Sequence, residues 1–187
     1  RAGAWFRSLD AVQSDSLGVM GGSRGGELAL LLGSRFAWVG GVVALAASGV
    51  AWDSPSGEPG WVADGDPVPH LEGKPIPRET VASGLDDEPV ETAAIEVERT
   101  DGPILLASGR DDRVWPATEL CAIAVDRLAR SEFDHDFEHL VFEDAGHLIS
   151  TPYAPLTGFE GSGGTPRGTA HAAEQSWPQI LETLQSV

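Results

Sequence analysis

The sequence predicts an α/β fold in which a mostly parallel sheet is flanked by helices. Four short apolar runs have the composition of strands that are buried on both faces. They lie at residues 17–20, 41–47, 103–108 and 139–142. Helical patterns follow the first and third runs, at residues 27–32, where Gly33 ends the pattern, and at 117–130. A chain of 187 residues is long enough for one domain with a moderate core.

A glycine-rich turn, Gly-Val-Met-Gly-Gly-Ser-Arg-Gly-Gly, follows the first strand at residues 18–26. It contains Gly21-x-Ser23-x-Gly25, which is typical of a nucleophile elbow, a strained strand-to-helix corner that projects a serine hydroxyl over the sheet edge. Small residues are expected beside Ser23 because side chains there would strike the neighbouring strand or helix. The alternative is a glycine-rich turn without chemistry. Phosphate-binding loops do not fit, because the turn lacks their lysine and their glycine spacing.

A serine nucleophile needs a histidine base and a carboxylate that orients the histidine, and both follow later apolar runs. Asp111 and Asp112 come after the third run, and His147 comes after the fourth. Functional side chains of open α/β sheets collect beyond the carboxyl ends of the strands. The order serine, aspartate, histidine is one of the known orders of a hydrolytic triad. The pattern therefore predicts Ser23 as nucleophile and His147 as base, with either aspartate as the acid.

Four motifs in order resemble the C-terminal domain of the acyl-CoA thioesterase and bile acid-CoA:amino acid N-acyltransferase family, a branch of the α/β-hydrolase fold. They are Gly-Val-Met-Gly-Gly-Ser-x-Gly-Gly-Glu-Leu-Ala-Leu, Ser-Gly-Arg-Asp-Asp-x-x-Trp-Pro, Ala-Gly-His-Leu-Ile-Ser-Thr-Pro-Tyr and Ala-His-Ala-Ala. The resemblance implies Ser23 as nucleophile, His147 as base and Asp112 as acid, and we expect Asp112 to contact His147. Asp111 remains the alternative acid. His171 matches a family histidine near the last helix.

The resemblance also bears on the reaction. Family members that transfer acyl groups to an amino acid have cysteine at the elbow, and members that hydrolyse thioesters have serine, so Ser23 favours hydrolysis of an acyl thioester, with acyl-CoA as the expected substrate. The single cysteine, Cys121, falls in the helix at 117–130 and is expected to be a small buried hydrophobic residue. No metal or organic cofactor is expected. The alternatives are a carboxylesterase or dienelactone-type hydrolase on the same fold, and an inactive fragment or non-catalytic subunit.

The elbow comes unusually early in the chain for this fold. Only one amphipathic stretch, at residues 5–12, precedes it. We therefore expect residues 1–187 to form a single partial domain, which is the C-terminal part of an α/β-hydrolase fold without its N-terminal strands. The backbone N–H of Arg24 is the expected oxyanion donor, and the second donor of such sites has no candidate. An exposed sheet edge and self-association through it are therefore expected.

Composition excludes several partners. The net charge is −17, the pI is near 4.4 and Lys74 is the single lysine, so nucleic acid and anionic membranes are repelled. This balance suits a high-salt cytoplasm, where salt screens self-repulsion; an ordinary acidic protein is the alternative. One cysteine cannot form an internal disulfide. A small acyl-CoA or ester substrate, in the cytoplasm, remains the expected partner.

The proline-rich segment at residues 53–102 predicts a lid-like insertion rather than a regular core element. A solvated acidic excursion is the alternative. The apolar face of this lid is expected to include Trp52, Trp61, Val68, Pro69 and Leu71. Trp115, Tyr153 and His171 join the two tryptophans as weaker candidates for substrate contact.

Two further patterns match known motifs only in part. Residues 36–52 carry no charge, but their glycines and alanines favour a buried parallel strand over a membrane span. His135 and His139 match the H-x-x-E-H zinc pattern, which requires a helix. They run instead into the strand at 139–142, so a polar turn is expected there.

Overall fold

The computed structural model describes residues 2–12, 15–72, 88–154 and 161–187. The helices are α1 (Ala2–Arg7), α2 (Arg24–Arg35), α3 (Glu88–Ala93), α4 (Ala117–Arg130) and α5 (Pro166–Gln185), with a 3-10 helix at Val97–Arg99. The strands are β1 (Leu17–Gly22), β2 (Val39–Leu45), β3 (Val62–Ala63), β4 (Asp66–Pro67), β5 (Ile104–Gly109) and β6 (Phe137–Phe142).

Within the described ranges, the central sheet has four parallel strands in the order β1-β2-β5-β6. The register pairs Gly22 with Leu45, Leu45 with Ala107, and Ala107 with Leu140, so the carboxyl ends of all four strands lie at one edge. Each predicted strand is present with its bounds shifted by a few residues. The predicted mostly parallel α/β fold is confirmed, and the segments after β1, β5 and β6 converge at that shared edge.

Helices cover both faces of the sheet. Val42 and Ala44 of β2 face one core, which also contains Leu30 of α2 and Leu128 of α4. The alternate residues of β2 face a second core with Ile180 of α5. Because successive strand side chains point to opposite faces, a strand buried on both faces must be apolar throughout. This is why the uncharged run at 36–52 forms β2 and the turns around it. Among the described residues, none of the helices combines the length and apolar composition that crossing a bilayer requires.

Strand β1 lies at the end of the strand order, and among the described residues it pairs with β2 alone. Met20 on this strand is one of the exposed large hydrophobic residues. The amphipathic stretch expected at residues 5–12 is different in the structure: α1 ends at Arg7, and its Trp5 is 64% exposed.

Helix α2 continues through Gly33, where the sequence pattern predicted its end. A Cβ at Gly33 would come within 2.7 Å of Val42 Cγ2 and 2.8 Å of Thr100 Oγ1. The glycine therefore lets the helix lie close to the sheet and does not act as a cap. Helix α4 spans Ala117–Arg130 as predicted.

The expectation that residues 53–102 hold no regular core element is wrong for part of the segment. Val90 and Ala93 of α3, and Ile95 and Val97 after it, are buried in the cores. A two-stranded antiparallel pair, β3 with β4, adds two strands that the sequence did not predict. Residues 73–87, the middle of the predicted lid, lie outside the described residues.

Candidate active site

Ser23 occupies the corner between β1 and α2. Its backbone has φ 55° and ψ −126°, a left-handed conformation that is costly for any residue other than glycine. The Ser23 N–H donates to the Leu45 carbonyl of β2 (2.8 Å), so the turn is fixed to the neighbouring strand. This is the strained geometry that the sequence motif predicts for an elbow.

The glycines of the elbow differ in how much space an added side chain would find. A Cβ at Gly21 would strike the carbonyl of Gly25, and a Cβ at Gly26 would come within 2.7 Å of the Ala47 Cβ. Both positions therefore require a residue without a side chain. At Gly25 nothing lies within 4 Å of an added Cβ, so the expected steric need does not extend to this glycine among the described residues.

The turn after β5 orients Asp112. Its carboxylate Oδ1 accepts hydrogen bonds from the N–H groups of Val114 (2.9 Å) and Trp115 (3.2 Å). With Oδ1 held by two backbone donors, Oδ2 points to His147 Nδ1 at 2.7 Å. The side chain of Asp111 is used differently, accepting from Gly164 N–H (2.9 Å) and from Arg113 (3.2 Å). Asp112 is thus the aspartate that the structure places against the histidine.

His147 follows β6 and joins the two ends of the site. Its Nε2 lies 2.8 Å from Ser23 Oγ, opposite the nitrogen that faces Asp112. The backbone N–H of His147 donates to the Ser162 carbonyl (2.8 Å). The Trp115 ring packs edge-on against the imidazole, with 5.8 Å between the two ring centres. The imidazole is buried, so its orientation is set by packing as well as by hydrogen bonds. Ser23, His147 and Asp112 form one continuous hydrogen-bonded chain.

Several residues predicted for the apolar face of the lid are buried. Trp52 is buried in a core cluster, and its indole N–H donates to Ser48 Oγ (3.0 Å). Val68 and Leu71 are buried as well. All three side chains contribute to the cores, and a lid with these residues on its apolar face stays a prediction.

The remaining substrate candidates differ in their exposure. Trp61 is half-buried against the core, whereas Tyr153 is 96% exposed and has a positive φ of 66°. His171 is exposed on α5. Trp115 contacts the His147 ring, and the Trp61 ring lies 5.2 Å from the Arg24 guanidinium.

A second serine–histidine pair joins β5 to β6. Ser108 Oγ is 2.8 Å from His139 Nε2 and 3.1 Å from Thr118 Oγ1, and Ser108 is fully buried. Burial, helped by the nearby Arg110 charge, lowers the pKa of His139 to about 4, so this imidazole is neutral near pH 7. His135 instead lies 3.3 Å from Asp101. The two histidines of the H-x-x-E-H pattern thus have separate partners.

Cys121 is buried in α4, as the sequence predicts. Its Sγ lies 3.4 Å from the Ala47 carbonyl, and burial raises the pKa of the thiol to about 12. A thiol with this pKa carries essentially no thiolate near neutral pH, so it is not nucleophilic.

Sequence reasoning missed the contacts of Glu27, one turn after Ser23. This carboxylate is 0% exposed and accepts hydrogen bonds from Arg24, from the Trp52 N–H and from the Trp61 indole. Burial raises the pKa of Glu27 to about 7, against the opposing effect of these hydrogen bonds and of the Arg24 charge. The available signal was a single carboxylate at the start of an otherwise apolar helical run.

Comparison with known proteins places the chain in a family. Residues 1–186 match the family described as BAAT / Acyl-CoA thioester hydrolase C terminal. Acyl-coenzyme A thioesterase 2, mitochondrial, of Mus musculus is 26% identical over 191 residues, covering 94% of this chain and 41% of that protein. Acyl-coenzyme A thioesterase 6 of Mus musculus is 29% identical over 108 residues, covering 53% of this chain and 26% of that protein. The chain spans less than half the length of these curated relatives.

Solved structures agree on the fold. The acylaminoacyl peptidase of Pyrococcus horikoshii superposes with a TM-score of 0.58 at 12% identity, covering 98% of this chain and 26% of that chain. At this identity the likeness concerns the fold alone, and the fold is that of the α/β hydrolases. The family match over nearly every residue confirms the resemblance seen in the motifs, and the chain belongs to the BAAT / acyl-CoA thioester hydrolase C-terminal family.

Proposed function

We propose that this chain is a serine hydrolase that cleaves acyl thioesters, with acyl-CoA as the substrate class, through an acyl-enzyme on Ser23. The observation that carries the proposal is the hydrogen-bonded chain from Asp112 through His147 to Ser23, with links of 2.7 and 2.8 Å. Links of this length are what proton transfer between a nucleophile and a general base requires. Family membership supports the thioester as substrate, and serine in place of cysteine supports water as the acyl acceptor.

The proposed reaction has two halves. In the first, Ser23 Oγ attacks the thioester carbonyl carbon while His147 Nε2 takes the hydroxyl proton, and the tetrahedral intermediate then expels the thiol, which receives that proton. In the second, His147 removes a proton from water, the resulting oxygen attacks the acyl-serine, and the proton returns to Ser23 as the carboxylic acid leaves. Asp112 holds the imidazole in one orientation and stabilises its protonated form.

The negative oxygen of each tetrahedral intermediate needs hydrogen-bond donors. Arg24 is the first residue of α2. Its backbone N–H therefore has no acceptor within the helix and points outward from the helix N-terminus. It follows Ser23 directly, which is the position that supplies one oxyanion donor in nucleophile elbows. Arg24 N–H is therefore proposed as one donor.

Covalent labelling tests the nucleophile. A fluorophosphonate probe followed by peptide mapping should modify Ser23 in the wild type, and Ser23→Ala should abolish labelling and lower kcat by about 10⁴–10⁶-fold. Ser108→Ala is the matched control, because Ser108 also has a histidine partner at 2.8 Å but is fully buried. Labelling at Ser108, or none in a folded wild-type sample, would refute the proposal.

Substitutions at Asp111 and Asp112 test which aspartate is the acid of the triad. Asp112→Asn should lower kcat by about 10⁴-fold, because an amide favours the wrong tautomer of His147. Asp111→Asn should have little effect on kcat, since the Asp111 carboxylate accepts from Gly164 and Arg113. Steady-state kinetics on both variants decide between the two, and the reverse ranking would assign the acid to Asp111.

A carboxylesterase or dienelactone-type hydrolase is the second candidate function. The net charge of −17 favours it, because the CoA moiety is itself polyanionic and the chain has few cations. Both functions use the same three side chains, so substrate profiling separates them. A kcat/KM for acyl-CoA at least equal to that for uncharged esters of the same acyl group supports the thioesterase, and an excess of about 100-fold for the uncharged esters supports the second function.

A further inference from the structure

The first turn of α2 contains a buried carboxylate with three hydrogen-bond donors. Glu27 Oε2 accepts from Arg24 Nη1 at 2.6 Å, and Oε1 accepts from the Trp52 N–H at 3.1 Å and from the Trp61 indole N–H at 2.5 Å. These partners come from the elbow itself and from the segment that follows β2. Glu27 therefore joins the elbow to residues 52–61.

Arg24 is held from several sides. Besides the Glu27 contact, its Nη2 donates to the Trp52 carbonyl at 2.9 Å, and its guanidinium lies 5.2 Å from the centre of the Trp61 ring. A Cβ at Gly60 would strike Arg24 Nη2, so the segment approaches the guanidinium closely. Fixing this side chain also fixes the backbone of the residue directly after Ser23, whose N–H is the proposed oxyanion donor.

A contribution to stability does not explain well why the Glu27–Arg24 ion pair is buried beside the elbow. Removing a carboxylate from water is costly, and well-packed neutral side chains often replace buried ion pairs without loss of stability. The pKa of Glu27, raised to about 7 by burial, has the same physical cause. Arg24 is the charged group in contact with the carboxylate, and the donors from the 52–61 segment are neutral. A carboxyl group buried at such a cost beside a proposed nucleophile points to a role in catalysis.

We infer that Glu27 is a positioning residue, which through Arg24 holds the Ser23 turn and the Arg24 N–H in the geometry that stabilises the oxyanion. This inference rests on the proposed function, since it needs a reaction at Ser23. Oxyanion donors are effective because they are preorganised, and small misplacements at such sites are costly in rate. The role of Glu27 would thus appear in the chemical step and leave substrate binding unchanged.

Glu27→Gln is the sharpest variant. The glutamine carbonyl can still accept from Trp52 and Trp61, but its amide faces Arg24 Nη1 with a donor in place of an acceptor. With p-nitrophenyl butyrate as substrate, kcat should fall about 10-fold while KM stays within about 2-fold. The rate of fluorophosphonate labelling at Ser23 should fall by the same factor as kcat.

Two further variants define the route through Arg24. Glu98→Gln is the matched control, because Glu98 forms a similar pair with Arg127 at 2.6 Å away from the elbow, and its kcat should equal that of the wild type. Arg24→Lys keeps the charge but loses the fork that reaches Glu27 and the Trp52 carbonyl together, so its kcat should also fall at unchanged KM. In an Arg24→Met background, Glu27→Gln should lower kcat no further.

The outcomes separate the inference from the proposed function. A folded wild type that is neither labelled at Ser23 nor active refutes the proposed function. An active wild type with unchanged kcat in folded Glu27→Gln, or with a change confined to KM, overturns the inference alone. If Glu27→Gln does not fold, Arg24→Lys decides: a lowered kcat supports the inference, and an unchanged kcat overturns it.

Discussion

Two glutamate–arginine pairs of this chain lie in contrasting regions. At the elbow, Glu27 is 0% exposed and shares one hydrogen bond with Arg24, its other donors being neutral. Between the 3-10 helix and α4, Glu98 receives two hydrogen bonds from Arg127, at 2.6 and 2.7 Å, and both side chains are 24% exposed. Burial raises the pKa of Glu27 to about 7, whereas the Arg127 hydrogen bonds lower the pKa of Glu98.

The difference shows how surroundings change the contribution of the same two residue types. A bidentate pair that keeps some water offsets its desolvation and stabilises the fold, while a deeply buried pair with a single charged contact does not. The Glu98–Arg127 pair fits a role in packing α4 against the segment before β5. The Glu27–Arg24 pair is costly, and it lies one helical turn from Ser23.

The largest expected effect comes from removing each carboxylate. Glu27→Ala should lower the free energy of unfolding by about 3–5 kcal/mol, because it leaves Arg24, the buried Trp52 N–H and the half-buried Trp61 indole N–H without their acceptor. Glu98→Ala should cost about 1 kcal/mol, since the guanidinium of Arg127 can be hydrated. Urea unfolding at pH 8 measures both. Equal losses would show that the two regions do not differ in this way.

The pH dependence of stability should separate Glu27 from its amide. A folded-state pKa of about 7 against 4.5 in the unfolded chain means that the folded state binds the proton more tightly between these values. The unfolding free energy of the wild type should therefore fall by about 3 kcal/mol relative to Glu27→Gln as pH rises from 4.5 to 7. Denaturation at several pH values checks this, and a constant difference would place Glu27 in a more hydrated site.

The pH dependence of the second pair should have the opposite sign. Because the folded-state pKa of Glu98 is lowered, its stabilisation is present above the unfolded value of 4.5 and is lost as pH falls through the folded value. Glu98→Gln should thus be less stable than the wild type by about 1 kcal/mol at pH 7, and the two should converge in acid. A difference that grows in acid would contradict this assignment.

Salt should produce the smallest change in the comparison. With a net charge of −17, the wild type should show a higher Tm in molar potassium chloride than in dilute buffer. The stability lost in Glu98→Gln should shrink to about half in the same salt, because exposed pairs are screened, while the effect of Glu27→Gln stays constant. Thermal melts of the three proteins test both points. A Tm that does not rise would also refute adaptation to high salt.

The sequence pattern was most informative where one local requirement decides the structure. Strands buried on both faces must be apolar, so all four strands of the parallel sheet were found, and the amphipathic pattern of α4 set both of its ends. The pattern failed at Gly33, which lets α2 pack closely on β2 and does not end the helix. It failed at residues 90–97 as well, because their burial comes from contacts with distant elements.

In the site, too, some features follow from local sequence and others from tertiary contacts. The local motif by itself determined the strained Ser23 turn, because the approach of Gly21 to Gly25 is decided within five residues. The residues near Asp111 and Asp112 do not determine which of the two contacts the histidine. In the tertiary structure it is Asp112, whose Oδ1 accepts from two backbone N–H groups while Oδ2 faces His147. The tertiary structure alone brought Glu27 together with Trp52 and Trp61, which lie 25 and 34 residues away. A side chain's pKa depends on its neighbours in space, and no spacing along the chain encodes those contacts.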